Sequence, residues 1–237
     1  MICRARVGLE ALSAGAETFS AHCQAMLRYD TIPVTAFEQN CSLVWCDQTK
    51  EAAVIDPGGD LAKIRAAVKR HGVTLKQILL THGHLDHAGG TGELAQAEGL
   101  PIIGPHEGDQ FWLDALPQQY SQYGLGVALP FKPTQWLHDG DTVKVGDETL
   151  RVRHCPGHTP GHVVFYSASA QRAFVGDVLF AGSIGRTDFP QGDHDTLIRS
   201  IVERLWPMGN DTVFIPGHGP ESTFGRERRT NPFVGGT

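Results

Sequence analysis

A layered α/β domain is the fold class this sequence predicts, and three observations lead to it. Short apolar runs bounded by Gly, Pro and Asp recur from Thr31 almost to the C-terminus, which is the pattern of short strands. Two stretches, LAKIRAAVKRHG and DTLIRSIVERLWP, carry apolar residues at helical spacing instead. Strand-like and helix-like segments are interspersed, so mixed sheets with helices packed on their outer sides are the economical way to bury both.

The elements follow in order. Residues 1–27 are rich in Ala, Ser and Gly without a clear period and read as an extension, disordered or loosely helical, ahead of a folded domain over 28–237. TIPVTAF, NCSLVWCD and EAAVIDPGG read as three strands, the last ending in a Pro-Gly-Gly turn. Asp60 stands where an N-cap belongs. Leu61, Ile64, Ala67 and Val68 then share one helical face, and Gly72 closes the helix. QILLT is a strand, 88–98 a helix opening through glycines, and LPIIGP another strand. Residues 115–136 carry Pro and Gln without a period and read as an irregular flap. DTVKV, ETLRVRHCP, HVVFYSA, RAFVGDVLF and DTVFIPGHG are five further strands, with the DTLIRSIVERLWP helix between the last two.

Composition narrows the function classes. A chain of 237 residues with 41% hydrophobic and 19% charged residues is an ordinary globular protein. Its net charge of −6 offers no broad attraction to nucleic acid or anionic membrane. No apolar run approaches a membrane span, and the acidic residues Glu10 and Glu17 argue against a transit peptide. Five cysteines, an odd number in a long chain, do not form a disulfide framework. Reduced thiols and a cytoplasmic location are the expectation.

The chemistry is concentrated in THGHLDHAGG, residues 81–90, directly after the apolar run of QILLT. His82 and His84 alternate, so in an extended segment both point to one side. Asp86 and His87 follow where the chain turns into a helix. Burying neutral imidazoles beside a carboxylate is costly without partners, and a divalent metal supplies one, since imidazole nitrogen and carboxylate oxygen are its natural donors. A solvated histidine-rich turn is the competing description. Further donors stand where other apolar strands give way to Gly or Pro: His158 and His162 in CPGHTPGH, Asp177 in FVGDVLF and His218 in FIPGHGP. Cys155, three residues before His158, is open to two readings, a thiolate ligand or nucleophile and a small core residue.

With these motifs in this order the chain resembles the metallo-β-lactamase superfamily, and within it the glyoxalase II (hydroxyacylglutathione hydrolase) branch, from about Ile32 to Phe233. The resemblance implies an αββα sandwich with a two-metal site at one edge. Position by position it implies that His82, His84 and His158 hold a first metal, that Asp86, His87 and His218 hold a second, and that Asp177 bridges both together with a hydroxide. Asp86 and Asp177 then act as catalytic carboxylates. His162 is implied to hydrogen-bond rather than ligate. Zinc is the expected metal of both sites, with iron or manganese accommodated by the same donors.

Two cations lower the pKa of water and polarise a carbonyl, so hydrolysis is implied. The motifs include no dedicated general acid. That favours a thiolate leaving group, whose pKa near ~8.5 lets it depart unprotonated, over an amine. A small-molecule thioester such as S-lactoylglutathione is the expected substrate, yielding a hydroxy acid and a free thiol. In GSIGRTDFP, Arg186 stands at the spacing where this branch places a basic contact to glutathione; an ion pair with Asp188 or Asp193 is the alternative. The chain departs from the longer enzymes of the branch. Pro220 replaces an aromatic residue two positions after the last histidine, and a C-terminal helical domain is missing, which resembles the short bacterial type. Arg226, Arg228 and Arg229 are either substitute anion contacts or a solvated helix face. Rival readings are a persulfide dioxygenase with one iron on His82, His158 and Asp177, a lactonase or broad esterase, and a non-enzymatic metal-binding module.

Overall fold

The computed structural model describes residues 26–236. The expected extension, apart from Met26 and Leu27, lies outside the described residues, as do Cys3 and Cys23.

The first sheet is built from β1 (Leu27–Val34), β2 (Gln39–Cys46), β3 (Glu51–Ile55), β4 (Thr74–Leu79) and β5 (Ile102–Ile103), in that spatial order. Its first two pairings are antiparallel, and β3–β4 and β4–β5 are parallel. The helix between β3 and β4 makes that crossover possible; it is α1 (Leu61–His71). The second sheet holds β6 (Thr142–Val145), β7 (Glu148–His154), β8 (Val163–Ser167), β9 (Arg172–Gly176), β12 (Val213–Pro216) and β13 (Ser222–Thr223), in the order β13-β12-β9-β8-β7-β6. Only β9 and β12 run parallel in it. A small ribbon, β10 (Leu179–Phe180) with β11 (Ser183–Ile184), stands apart.

Alternation along the strands explains the layers. In β3, Ala52 and Val54 pack toward α1 while Ala53 and Ile55 face the other sheet. In β9, Phe174 faces the first sheet, and Ala173 and Val175 face α5 (His194–Ser200) and α6 (Phe224–Thr230). Strands buried on both faces lose the polar alternation of a half-exposed sheet, as in QILL and VVF. Three apolar layers result: helices on the first sheet, sheet on sheet, and the second sheet on its helices. This is the αββα sandwich.

Four local readings are corrected. The first strand begins at Leu27, earlier than Thr31, because its whole length pairs with β2 from Leu27↔Cys46 onward. Asp60 does not cap α1 with its side chain; its backbone is left-handed (φ 48°) and its carboxylate takes Lys63 Nζ at 2.7 Å instead. The helix foreseen over 88–98 is divided into α2 (Leu85–Ala88) and α3 (Thr91–Glu98). The irregular flap is helical in its first part: α4 (Gln110–Gln122) runs through Pro117 because Trp112, Leu113 and Leu116 are buried along one side. Burying that face offsets the local cost of proline. Gly72 does close α1, with φ 62°. Among the described residues no helix is long and apolar enough to cross a membrane.

Candidate metal centre

The fold brings all seven sequence-predicted donors to one edge. His82, His84, Asp86 and His87 follow β4; His158 lies between β7 and β8; Asp177 follows β9; His218 follows β12. Most stand at carboxyl ends of parallel strands, where open α/β sheets bind ligands. Two backbone hydrogen bonds join the sheets there: Val163 N–H donates to Thr81 O at 2.8 Å and Asn40 N–H to Gly217 O at 2.7 Å.

The donors fall into two groups. In the first, His84 Nδ1 lies 3.2 Å from His82 Nε2 and 2.9 Å from His158 Nε2. In the second, His218 Nε2 lies 3.1 Å and His87 Nε2 3.8 Å from Asp86 Oδ2. Asp177 stands between the groups: Oδ1 is 3.3 Å from His87 Nε2, and Oδ2 is 3.6 Å from His158 Nε2 and 3.8 Å from His218 Nε2.

The residues fit cations. Asp56 accepts from Thr81 Oγ1 at 2.5 Å, so the Thr81 oxygen accepts in turn from His82 Nδ1–H at 3.0 Å. His158 Nδ1–H donates to Arg186 O at 2.7 Å, His218 Nδ1–H to Phe37 O at 3.2 Å, and His87 Nδ1–H to Asp56 at 2.9 Å. Each outer nitrogen thus holds the proton, which turns the Nε2 lone pair inward. Lone pairs of His82 and His158 then face the same nitrogen of His84, which carries at most one proton. His84 Nε2, His87 Nε2 and Asp177 Oδ1 are buried without a hydrogen bond. Nitrogen separations near 3 Å match the roughly 3.3 Å edge of a tetrahedron with Zn–N distances of ~2.0–2.1 Å. Two groups of side chains can each hold an ion: His82, His84 and His158, and Asp86, His87 and His218.

In the first group electrostatics point the same way, and in the second the carboxylates favour positive charge at the place a cation would take. Burial, then the neighbouring imidazoles, holds His82 well below the ordinary histidine range. Burial and the His158 ring lower His84 to about 3. These rings are neutral at physiological pH, the form that ligates metal. Burial opposes charge on His87 and Asp177 too, but each offsets the other: Asp177 and Asp86 raise His87 well above its usual value, and His87 holds Asp177 far below the carboxylate range. Asp86 is also lowered, against its burial, by His87 and His218.

His162 stays outside both groups. It stacks on His82 at 4.6 Å, and its Nε2 accepts the Asp177 backbone N–H at 3.1 Å, the hydrogen-bonding part expected of it. Cys155 is fully buried in the outer core of the second sheet, and burial pushes its thiol up, so it is a packing residue. Asp56 and Asp109 are supporting residues that sequence reasoning missed. Asp56 accepts from Thr81 N–H (2.7 Å), Thr81 Oγ1 and His87 Nδ1. The signal was an Asp directly after a buried strand in IDPGG, indistinguishable from an ordinary turn residue.

A cavity of about 800 Å³ opens over the donors, walled by Phe37, Trp112, Tyr123, Phe180 and Phe189. Arg186 is on its rim, bidentate to Asp188 at 2.7 Å and stacked over Phe189 at 4.1 Å. The ion pair weighed in the sequence is therefore present with Asp188. Arg226, Arg228 and Arg229 are exposed on α6. Gly217 forms part of the floor: a Cβ there would stand 2.1 Å from Asp177 Oδ1 and 2.6 Å from His87 Cε1. Gly217→Ala is expected to destabilise even the metal-stripped protein by roughly 1–3 kcal/mol through overpacking. Thermal unfolding checks this, and an unchanged midpoint would count against the geometry.

Residues 34–218 match the Metallo-beta-lactamase superfamily. The chain belongs to that superfamily. Its relatives include hydroxyacylglutathione hydrolase GloC of Haemophilus influenzae, 46% identical over 88% of this chain and 98% of that one. Among solved structures, BLEG-1 B3 metallo-beta-lactamase superposes with a TM-score of 0.80 at 35% identity, covering 88% of this chain and 100% of the other. TTHA1623 in a di-iron-bound form superposes at 0.78 with 36% identity, covering 86% and 99%. This superfamily member is an enzyme of the metallo-hydrolase class, and its clustered His and Asp side chains can hold divalent metal.

Proposed function

We propose that the enzyme hydrolyses a thioester, with S-lactoylglutathione as the representative substrate, using two divalent ions, zinc in the first instance, held by the seven donors. The observation that carries this is the shared position of Asp177 between two donor groups beneath an aromatic-walled cavity. When bound, the ions lower the pKa of water and polarise a carbonyl. Asp86 and Asp177 are both held ionised, so neither protonates a leaving group at neutral pH. A thiolate needs no such proton and an amine does. The carboxylates offset cationic charge and orient the attacking oxygen. The aromatic walls hold the acyl group and exclude water. The hydroxyacylglutathione hydrolase among its relatives supports the same substrate class.

Arg186 is the contact for a substrate carboxylate, which it reaches by exchanging Asp188 for it. Its exposure limits the gain, so Arg186→Ala is expected to raise KM about two- to fivefold with kcat little changed. An equal loss in kcat would contradict that role.

The test of function is thiol release from S-lactoylglutathione by freshly purified protein, with metals counted on the same sample. Two metals per chain and hydrolysis that stops on metal removal are expected. Undiminished hydrolysis by metal-stripped protein would reject the proposal. One iron per chain with oxygen uptake on glutathione persulfide would replace it with the dioxygenase reading.

A further inference from the structure

We infer that Asp109 is a positioning residue for the metal centre, its carboxylate clamping together the two loops that carry His82, His84 and His158. The inference rests on the proposal that these histidines hold a metal.

Asp109 ends a short turn, Glu107–Asp109, which His106 caps by accepting Gly108 N–H at 3.0 Å and which leads directly into α4. Its side chain is fully buried. Oδ2 accepts from Gly83 N–H at 2.8 Å and from Thr159 Oγ1 at 2.8 Å; Oδ1 accepts from Gly161 N–H at 2.5 Å. Gly83 separates His82 from His84, Thr159 follows His158, and Gly161 precedes His162. One carboxylate thus reaches across from the helix layer and ties the loop after β4, in the first sheet, to the loop before β8, in the second. The link continues inward, since the His162 ring accepts the backbone N–H of Asp177.

A buried carboxylate is a costly choice for a structural brace. Burial pushes Asp109 up to about 6 against the three hydrogen bonds that pull it down. What the carboxylate provides is two acceptor oxygens for donors from two separate chain segments, and asparagine has only one. The approach is close enough to require glycine: a Cβ on Gly161 would lie 2.7 Å from Asp109 Oδ1 and 2.5 Å from Asp109 N. Groups that orient metal ligands set affinity through the ligands they hold.

The test measures zinc affinity by competition with a chromophoric chelator, at a temperature where each metal-stripped variant is folded. Asp109→Asn is expected to bind zinc roughly 10- to 100-fold more weakly, with kcat for S-lactoylglutathione reduced and KM within about twofold. Thr159→Val removes one bond of the clamp and is expected to lose about three- to tenfold in affinity; Thr159→Ser keeps the hydroxyl and the wild-type affinity. If Asp109→Asn does not fold, the Val and Ser pair decides. Wild-type zinc affinity in Asp109→Asn, or in Thr159→Val where only that pair is measurable, would overturn the inference, even if unfolding temperatures fall. His84→Ala serves as the control. If wild type takes up no zinc, or His84→Ala binds it as well as wild type, the metal-site proposal fails and takes this inference with it. A failure confined to Asp109 and Thr159 leaves that proposal standing.

Discussion

Asp177→Asn is expected to lower turnover on the order of 10³-fold or more and to leave a folded protein. The reasoning starts from shape. Asparagine matches the volume of aspartate, so packing around residue 177 is retained, and its backbone N–H still donates to His162. What is lost is the negative charge between His87 and His158, which faces the Nε2 atoms of both donor groups. An amide oxygen is a poorer donor to a cation, and its NH2 presents hydrogens where a second lone pair is required. Stabilisation by bound metal amounts to several kcal/mol, and about 4 kcal/mol corresponds to about 10³ in rate. Initial rates and metals per chain, measured on the same preparation, check it. Turnover within tenfold of wild type with both metals retained would show that Asp177 does not serve the two groups.

Stripping the metal has the second large effect, on stability as well as rate. Ligands bound only by the folded state stabilise it by linkage, by about 4 kcal/mol at a thousandfold excess over Kd. For a domain of this size each kcal/mol moves the unfolding midpoint by roughly 2–4 °C. A fall of about 8–16 °C on chelation is therefore expected, reversed by adding back zinc. The converging, neutral nitrogens of His82, His84 and His158 are the reason, since these buried groups lose their partner. A midpoint that does not move on chelation, in protein shown to have lost its metals, would contradict the two-group geometry.

The donors themselves were legible in the sequence because they are dense or stand at strand ends: His-x-His-x-Asp-His is improbable unless something holds the rings together. The residues that orient them were not. Asp56 and Asp109 are single aspartates beside Pro or Gly, where a turn residue is the ordinary explanation, and their partners are 25 to 52 positions away. The orienting group for His158 is the backbone carbonyl of Arg186, which has no side-chain signature at all. Apolar alternation revealed most strands. It failed in α4, where Pro117 broke the local pattern but tertiary burial of Trp112, Leu113 and Leu116 prevailed.

The donors are divided between the two sheets, four after β4 in the first and three among the loops of the second. During synthesis the first four leave the ribosome together, while His218 emerges more than 130 residues later. If the proposed ligands hold metal, a growing chain presents His82, His84, Asp86 and His87 as an open, weak chelator. On the proposed site, the second group is complete only once the loop carrying His218 has docked after β12, which makes loading of that ion a late checkpoint that only nearly completed molecules pass.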